Sequence, residues 1–179
     1  MAIYCFSGHR SIYGYNYSDR RYTRLMNKLD EYLFKEGFYK DGNKFISGGA
    51  IGFDTLSFRM IDKISKTYDI ENILAIPFKN QSKKWSDKDK RVYEDMKLIA
   101  DKVIYVDTLD DYKIKTVPEG MYHPAKMQKR NAFMVDNSDV VISCWDGSKS
   151  GTYNCIKYAK KKGKRIINID PVSLEIKEI

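Results

Sequence analysis

The chain predicts an α/β protein built on a mostly parallel sheet. Short apolar runs alternate with helical patterns along the length. Several of these runs are apolar at successive residues, as strands covered on both faces are. Glycine-rich turns follow two of the strand-like runs and open into helical patterns.

Strands are expected at residues 2–6, 44–47, 72–76, 102–107, 139–144 and 165–169. Helices are expected at 19–36, 54–67, 87–101, 125–137 and 151–162. The first helix sets Tyr22, Leu25, Met26, Leu29 and Leu33 on one side, with Asp19 placed to cap it. Gly37 and Gly163 fall where helix ends favour a left-handed residue. Phe45 and Ile46 lead into the turn Ser47-Gly48-Gly49-Ala50-Ile51-Gly52-Phe53-Asp54, after which Leu56, Met60 and Ile64 recur at helical spacing. The strand at 139–144 runs into a second such turn, Asp146-Gly147-Ser148-Lys149-Ser150-Gly151-Thr152. Residues 108–124, with Pro118, Gly120 and Pro124, form the least regular connection, of a length that marks a functional or a mobile loop. Strands and helices in this alternation imply right-handed crossovers. The expectation is a single Rossmann-like domain over residues 1–179, a sheet of about six strands with helices on both faces.

Composition narrows the function. The 179 residues, 42% hydrophobic and 13% aromatic, suffice for a core without metals or disulfides. No apolar run approaches the ~20 residues of a membrane span. The start, Met1-Ala2-Ile3-Tyr4-Cys5-Phe6, lacks a basic leader and reads as a strand, so no signal peptide and no membrane partner are expected. Cys5, Cys144 and Cys155 are odd in number and sit in apolar patterns, which favours reduced thiols and a cytoplasmic location. With His9 and His123 alone beside them, neither a zinc site nor another cofactor is expected. The net charge of +8 suits nucleic acid or a small phosphorylated ligand. Lys157, Lys160, Lys161, Lys162, Lys164 and Arg165 form the densest basic run, and solvated helix faces are the favoured explanation of it over a nucleic-acid surface.

Ligands of open parallel sheets bind beyond the carboxyl ends of the strands, near the reversal of strand order. The residues following each strand are therefore the candidates. Ser7-Gly8-His9-Arg10 offers an arginine to clamp phosphate, and a histidine for a sugar, a base or a structural bond. Ser47, Gly48, Gly49, Ala50 and Gly52 form a strand-to-helix turn whose amides suit an anion, or which simply closes tightly. Asp54 either caps the next helix or accepts from sugar hydroxyls. Gly147, Ser150, Gly151 and Thr152 repeat the arrangement, with Thr152 as cap, phosphate ligand or both. Arg130 is a second anion clamp or a solvated arginine, with Asn131 beside it. Trp145 and Trp85 either stack on a base or pack inside.

Together these residues resemble the SLOG superfamily, which joins the DNA-processing protein DprA to the Lonely Guy cytokinin-activating enzymes. Ser47-Gly48-Gly49-Ala50-Ile51-Gly52-Phe53-Asp54 is similar to the DprA-type SGxAxGxD loop, and Gly147-Ser148-Lys149-Ser150-Gly151-Thr152 to the PGGxGT loop of Lonely Guy proteins. The bacterial and phage YpsA/YoqJ-like branch is echoed by Gly8-His9-Arg10, Gln81 with Trp85, Arg130-Asn131, Met134-Val135-Asp136, Ser138-Asp139, Trp145-Asp146-Gly147 and Lys157-Tyr158-Ala159. The resemblance spans nearly the whole chain. It implies a pocket for a nucleotide-derived ligand, and a homo-oligomer. One departure stands out: where the Lonely Guy loop continues to its glutamate, this chain has Cys155. A thiol cannot supply the carboxylate that glycosidic cleavage needs.

Three functions stay open. The first is binding, to sense or sequester a nucleotide-derived molecule, since superfamily members read ligands in bacterial defence systems. The second is an N-glycosidase acting on nucleoside monophosphates, with Asp54, Asp136 or Asp146 as the carboxylate. The third is weak nucleic-acid binding of the DprA kind. Enzymatic activity is the less favoured expectation, and no catalytic residue is assigned.

Overall fold

A computed structural model describes residues 1–14 and 18–179. Seven strands form one sheet: β1 (Ile3–Gly8), β2 (Lys44–Ser47), β3 (Glu71–Ile76), β4 (Lys102–Tyr105), β5 (Val140–Cys144), β6 (Arg165–Ile169) and β7 (Ile176–Glu178). Between them lie α1 (Arg20–Lys35), α2 (Phe53–Ile64), α3 (Asp87–Ile99), α4 (Pro124–Asp136) and α5 (Gly151–Lys161). The sheet order is β4-β3-β2-β1-β5-β6-β7. All pairings are parallel except β6–β7, which is antiparallel.

The expected Rossmann-like α/β architecture is what forms, with two corrections to the strands. A seventh strand, β7, was not among the expected six; its three residues are too few to show a period, and pairing with β6 creates it. The expected strand 102–107 stops at Tyr105, and Val106–Thr108 turn into a short 3₁₀ helix that buries Asp107.

Strand periodicity sorts the two faces. Successive side chains point to opposite sides, so Tyr4 and Phe6 meet α1 and α2 while Cys5 meets α4 and α5. Phe45, Ile142 and Ile167 join the first group; Ile46, Val141 and Ile166 join the second. Leu25, Leu29 and Leu33 of α1 are fully buried, each worth on the order of 1.5–3 kcal/mol of transfer free energy. A smaller cluster of Phe58, Leu74, Ile76, Tyr93 and Met96 seats α3. Helix ends follow their chemistry: Asp19 accepts from the Arg21 N–H to cap α1, as expected.

The order reverses at β1, whose neighbours are β2 and β5. The connections leaving β1 and β5 therefore flank an open crevice at the carboxyl edge.

Candidate functional site

A cleft of about 280 Å³ occupies that crevice. The end of β1 contributes Ser7, Gly8, His9 and Arg10. The loop into α2 contributes Ala50 and Asp54, and the start of α5 contributes Ser150, Gly151 and Thr152. Helix α4 supplies Arg130 and Asn131, together with Met127 and Gln128, which sequence reasoning did not single out. A signal existed: Met127 and Gln128 stand three residues before Arg130 and Asn131, on the same side of a helix. Ser47, Gly48, Gly49, Gly52, Trp145 and Gly147 lie behind or beside the cleft rather than on its lining.

The two glycine turns converge on one cleft, yet they are not equivalent. In the first, the peptide groups turn inward. Ser47 Oγ accepts from the Gly49 N–H and donates to the Asp54 carbonyl. The Gly48 carbonyl accepts from Arg130 Nη1. Arg130 Nη1 also lies 3.4 Å from Asp54 Oδ2, and Arg130 Nε donates to Asn131 Oδ1 at 2.9 Å. Asp54 is thus neither a helix cap nor a free acceptor; its carboxylate sits inside the loop beside a buried guanidinium. Burial pushes the Asp54 carboxyl up, against the opposing pull of Arg130. Burial likewise lowers Arg130, against the pull of Asp54.

Glycine at position 48 is a matter of space. An added Cβ would run into the Arg130 guanidinium and the Asp54 carboxylate. At Gly52 both space and backbone demand it, since φ is +94° and the His9 and Arg10 carbonyls press close.

The second turn keeps its helix end open. Ser150, not Thr152, caps α5, its Oγ accepting from the Tyr153 N–H at 3.2 Å. The N–H groups of Gly151 and Thr152 have no hydrogen-bond partner among the described residues. They present the positive end of α5 to the cleft. Arg10 is exposed at the rim and makes no ion pair among the described residues.

The two sides of the crevice are latched. His9 Nε2 lies 2.9 Å from Asp146 Oδ1, linking the β1 connection to the β5 connection. Ser148, and less strongly His9, holds the Asp146 carboxyl down to about 2. Trp145 is spent on packing: its Nε1 donates to the Ser148 carbonyl at 2.7 Å and its ring lies 6.0 Å from Tyr153. Trp85 packs edge-on against Tyr93 at 5.2 Å.

Cys155 is buried behind the cleft, near Ser7, and burial pushes its thiol up to about 11. Asp136 lies away from the cleft, accepting from Tyr112, Tyr158 and Lys162. The irregular connection is pinned by a fully buried pair, Lys126 Nζ to Asp107 Oδ2 at 2.8 Å. Lys126 also donates to the Pro118 carbonyl, and Asp107 accepts from the Gly120 N–H. Half of the basic run is used internally: Lys162 pairs with Asp136, Lys164 bonds the Ser138 carbonyl and Arg165 pairs with Glu178.

Fold and cleft define a Rossmann-like protein with a polar pocket at the strand-order reversal. The YpsA sequence profile, described as the YspA SLOG family, matches residues 4–175, and the chain belongs to that family. It is 43% identical over 139 residues to the SPbeta prophage-derived protein YoqJ of Bacillus subtilis (strain 168), covering 77% of this chain and 79% of that one. It is 26% identical over 130 residues to a UPF0398 protein of Bacillus cereus (strain G9842), covering 71% of this chain and 65% of the relative. Among solved structures, DNA processing protein A from Helicobacter pylori, described in its single-stranded DNA binding mode, superposes with TM-score 0.59 at 17% identity, over 96% of this chain and 70% of that one. DprA from Streptococcus pneumoniae superposes with TM-score 0.61 at 14% identity, over 94% of this chain and half of that one. These two likenesses are of fold. No helix among the described residues is long and apolar enough to cross a membrane.

Proposed function

We propose that this protein binds a nucleotide or nucleotide-derived small molecule in the cleft, to sense or sequester it rather than turn it over. The observation that carries the reading is the meeting, in one small cavity, of donors that have no partner among the described residues. The Gly151 and Thr152 amides, the positive end of α5 and Arg10, which makes no ion pair among the described residues but acts electrostatically on Asp54 and Arg130, all line it. Such a set stabilises an anion by charge and by directed hydrogen bonds together.

Binding without hydrolysis is favoured by the fate of the carboxylates. Asp136 and Asp146 do not line the cleft, and Asp54 is engaged by Arg130. The position of the Lonely Guy glutamate holds the buried thiol of Cys155. The family shown above, and its prophage-derived relative, fit a role in reading a small signal in bacterial defence.

The test is calorimetry of the purified chain with nucleoside monophosphates, cyclic nucleotides and ADP-ribose, beside mass spectrometry of small molecules released on denaturation. Saturable binding weakened by Arg10→Ala and by Gly151→Pro, which removes the Gly151 N–H at a position with open space around it, is the expected outcome. No heat with any of them, and no released nucleotide, would overturn the reading.

Single-stranded DNA binding is the second reading, because Lys157, Lys160 and Lys161 stand exposed on α5 and the Helicobacter relative in fold is described in that mode. It requires a gel shift at low salt that collapses steeply as salt rises.

A further inference from the structure

The lining of the cleft is chemically mixed. Arg10 and the first turn of α5 supply positive charge and amide donors. Helix α4 adds Met127 and Gln128 to the lining, one turn before its Arg130 and Asn131. Met127 is half-buried and, among the described residues, is the one large apolar side chain on the lining. Its thioether is polarisable and adapts to the face or edge of an aromatic ring. Gln128 is exposed and its side chain makes no hydrogen bond among the described residues, so both its amide oxygen and its NH₂ are available. The other amide on the lining, Asn131, has its oxygen committed to Arg130 Nε. Gln128 is therefore the amide able both to donate and to accept toward a ligand.

An apolar, polarisable surface beside a free donor–acceptor pair is what a planar heterocycle with a hydrogen-bonding edge requires. We infer that Met127 and Gln128 read the base of the bound molecule, Met127 against its ring and Gln128 along its edge. The inference rests on the nucleotide reading above and narrows it. At about 280 Å³ the cleft lies at the small end of ligand pockets, a size for a nucleoside monophosphate rather than a dinucleotide.

The experiment is calorimetry of the full chain with AMP, GMP, CMP, UMP and ribose 5-phosphate, on wild type, Gln128→Leu and Met127→Ala. Wild type is expected to rank the four bases and to bind its best one at least about tenfold more tightly than ribose 5-phosphate, as one or two net hydrogen bonds and a ring contact supply. Gln128→Leu should compress the spread among bases to less than about threefold. Met127→Ala should cut the ratio of best nucleotide to ribose 5-phosphate by about tenfold. Because Gln128 is a surface residue, its replacement leaves the core intact, and an unchanged melting temperature checks this. If wild type binds nucleotides and Gln128→Leu keeps the same ranking and spread, the assignment is wrong while the nucleotide reading survives. If wild type binds none of the five probes, both fall together.

Discussion

The Arg130 guanidinium reaches Asp54 across 76 residues of chain, with Nη1 3.4 Å from Oδ2 and both side chains 6% exposed. This pair makes the first glycine turn a self-satisfied loop. The Asp54 carboxylate occupies the first loop from within, while the N-terminus of α5 carries no carboxylate in its first turn. The fold thereby gives one of two similar motifs a structural duty and leaves the first amides of the other without a partner among the described residues.

Removing one partner should cost more than removing both. Asp54→Ala strands a buried guanidinium and should lower the unfolding free energy by about 3–5 kcal/mol, whereas Asp54→Ala with Arg130→Met should recover much of it. Arg130→Met alone should show a pH signature. Its Asp54, deprived of the opposing cation, has a folded pKa well above the unfolded value, so the folded state holds the extra proton. The penalty should be small near pH 4 and grow as pH rises. Urea denaturation between pH 4 and pH 8 measures both effects.

Lys126 and Asp107 should behave as a strut for the long connection. Lys126→Ala leaves the Asp107 carboxylate buried with the Gly120 N–H as its remaining partner, and should destabilise by about 3–5 kcal/mol. It also leaves the Pro118 carbonyl with the Met121 N–H alone, so limited proteolysis within residues 108–124 should accelerate. Unchanged cleavage there would mean that the loop is held by something else.

Asp146 predicts the opposite slope at acid pH. Its carboxyl is held down to about 2, first by Ser148 and less strongly by His9. A depressed carboxyl contributes stability that is full above its unfolded value near 4 and fades as pH falls toward 2. Carbon-detected NMR should find it titrating near 2 in wild type and higher in Ser148→Gly.

Cys155 should be inert until the chain unfolds. Burial holds its thiol near 11 and leaves it 1% exposed, and Cys5 and Cys144 are buried and raised as well. Thiol reagents at pH 8 should label all three together, at the rate of global unfolding. Cys155→Glu should destabilise the protein, by forcing a second carboxylate into the space near Asp54, and release no base from nucleotides.

The order of strands and helices was legible because burial on two faces imposes periods of two and 3.6 on the sequence, as in Tyr4-Cys5-Phe6 and in Leu25, Leu29 and Leu33. Asp19 as a cap and Gly37 and Gly163 at left-handed φ are equally local, decided within one turn of chain. Strand β7 was not legible, because three residues carry no period and only the β6 edge makes them a strand. The glycine turns announced the cleft, since each is written in consecutive residues. What the sequence could not say is which turn is filled: that depends on Arg130 arriving from α4, on the opposite face of the sheet from α2. The same packing brought Met127 and Gln128 to the cleft and took Trp145 away to Tyr153. Local backbone preference and face periodicity act between near neighbours and survive in the linear pattern. The partner of a buried charge is chosen by three-dimensional proximity, and that is set only once α4 has docked.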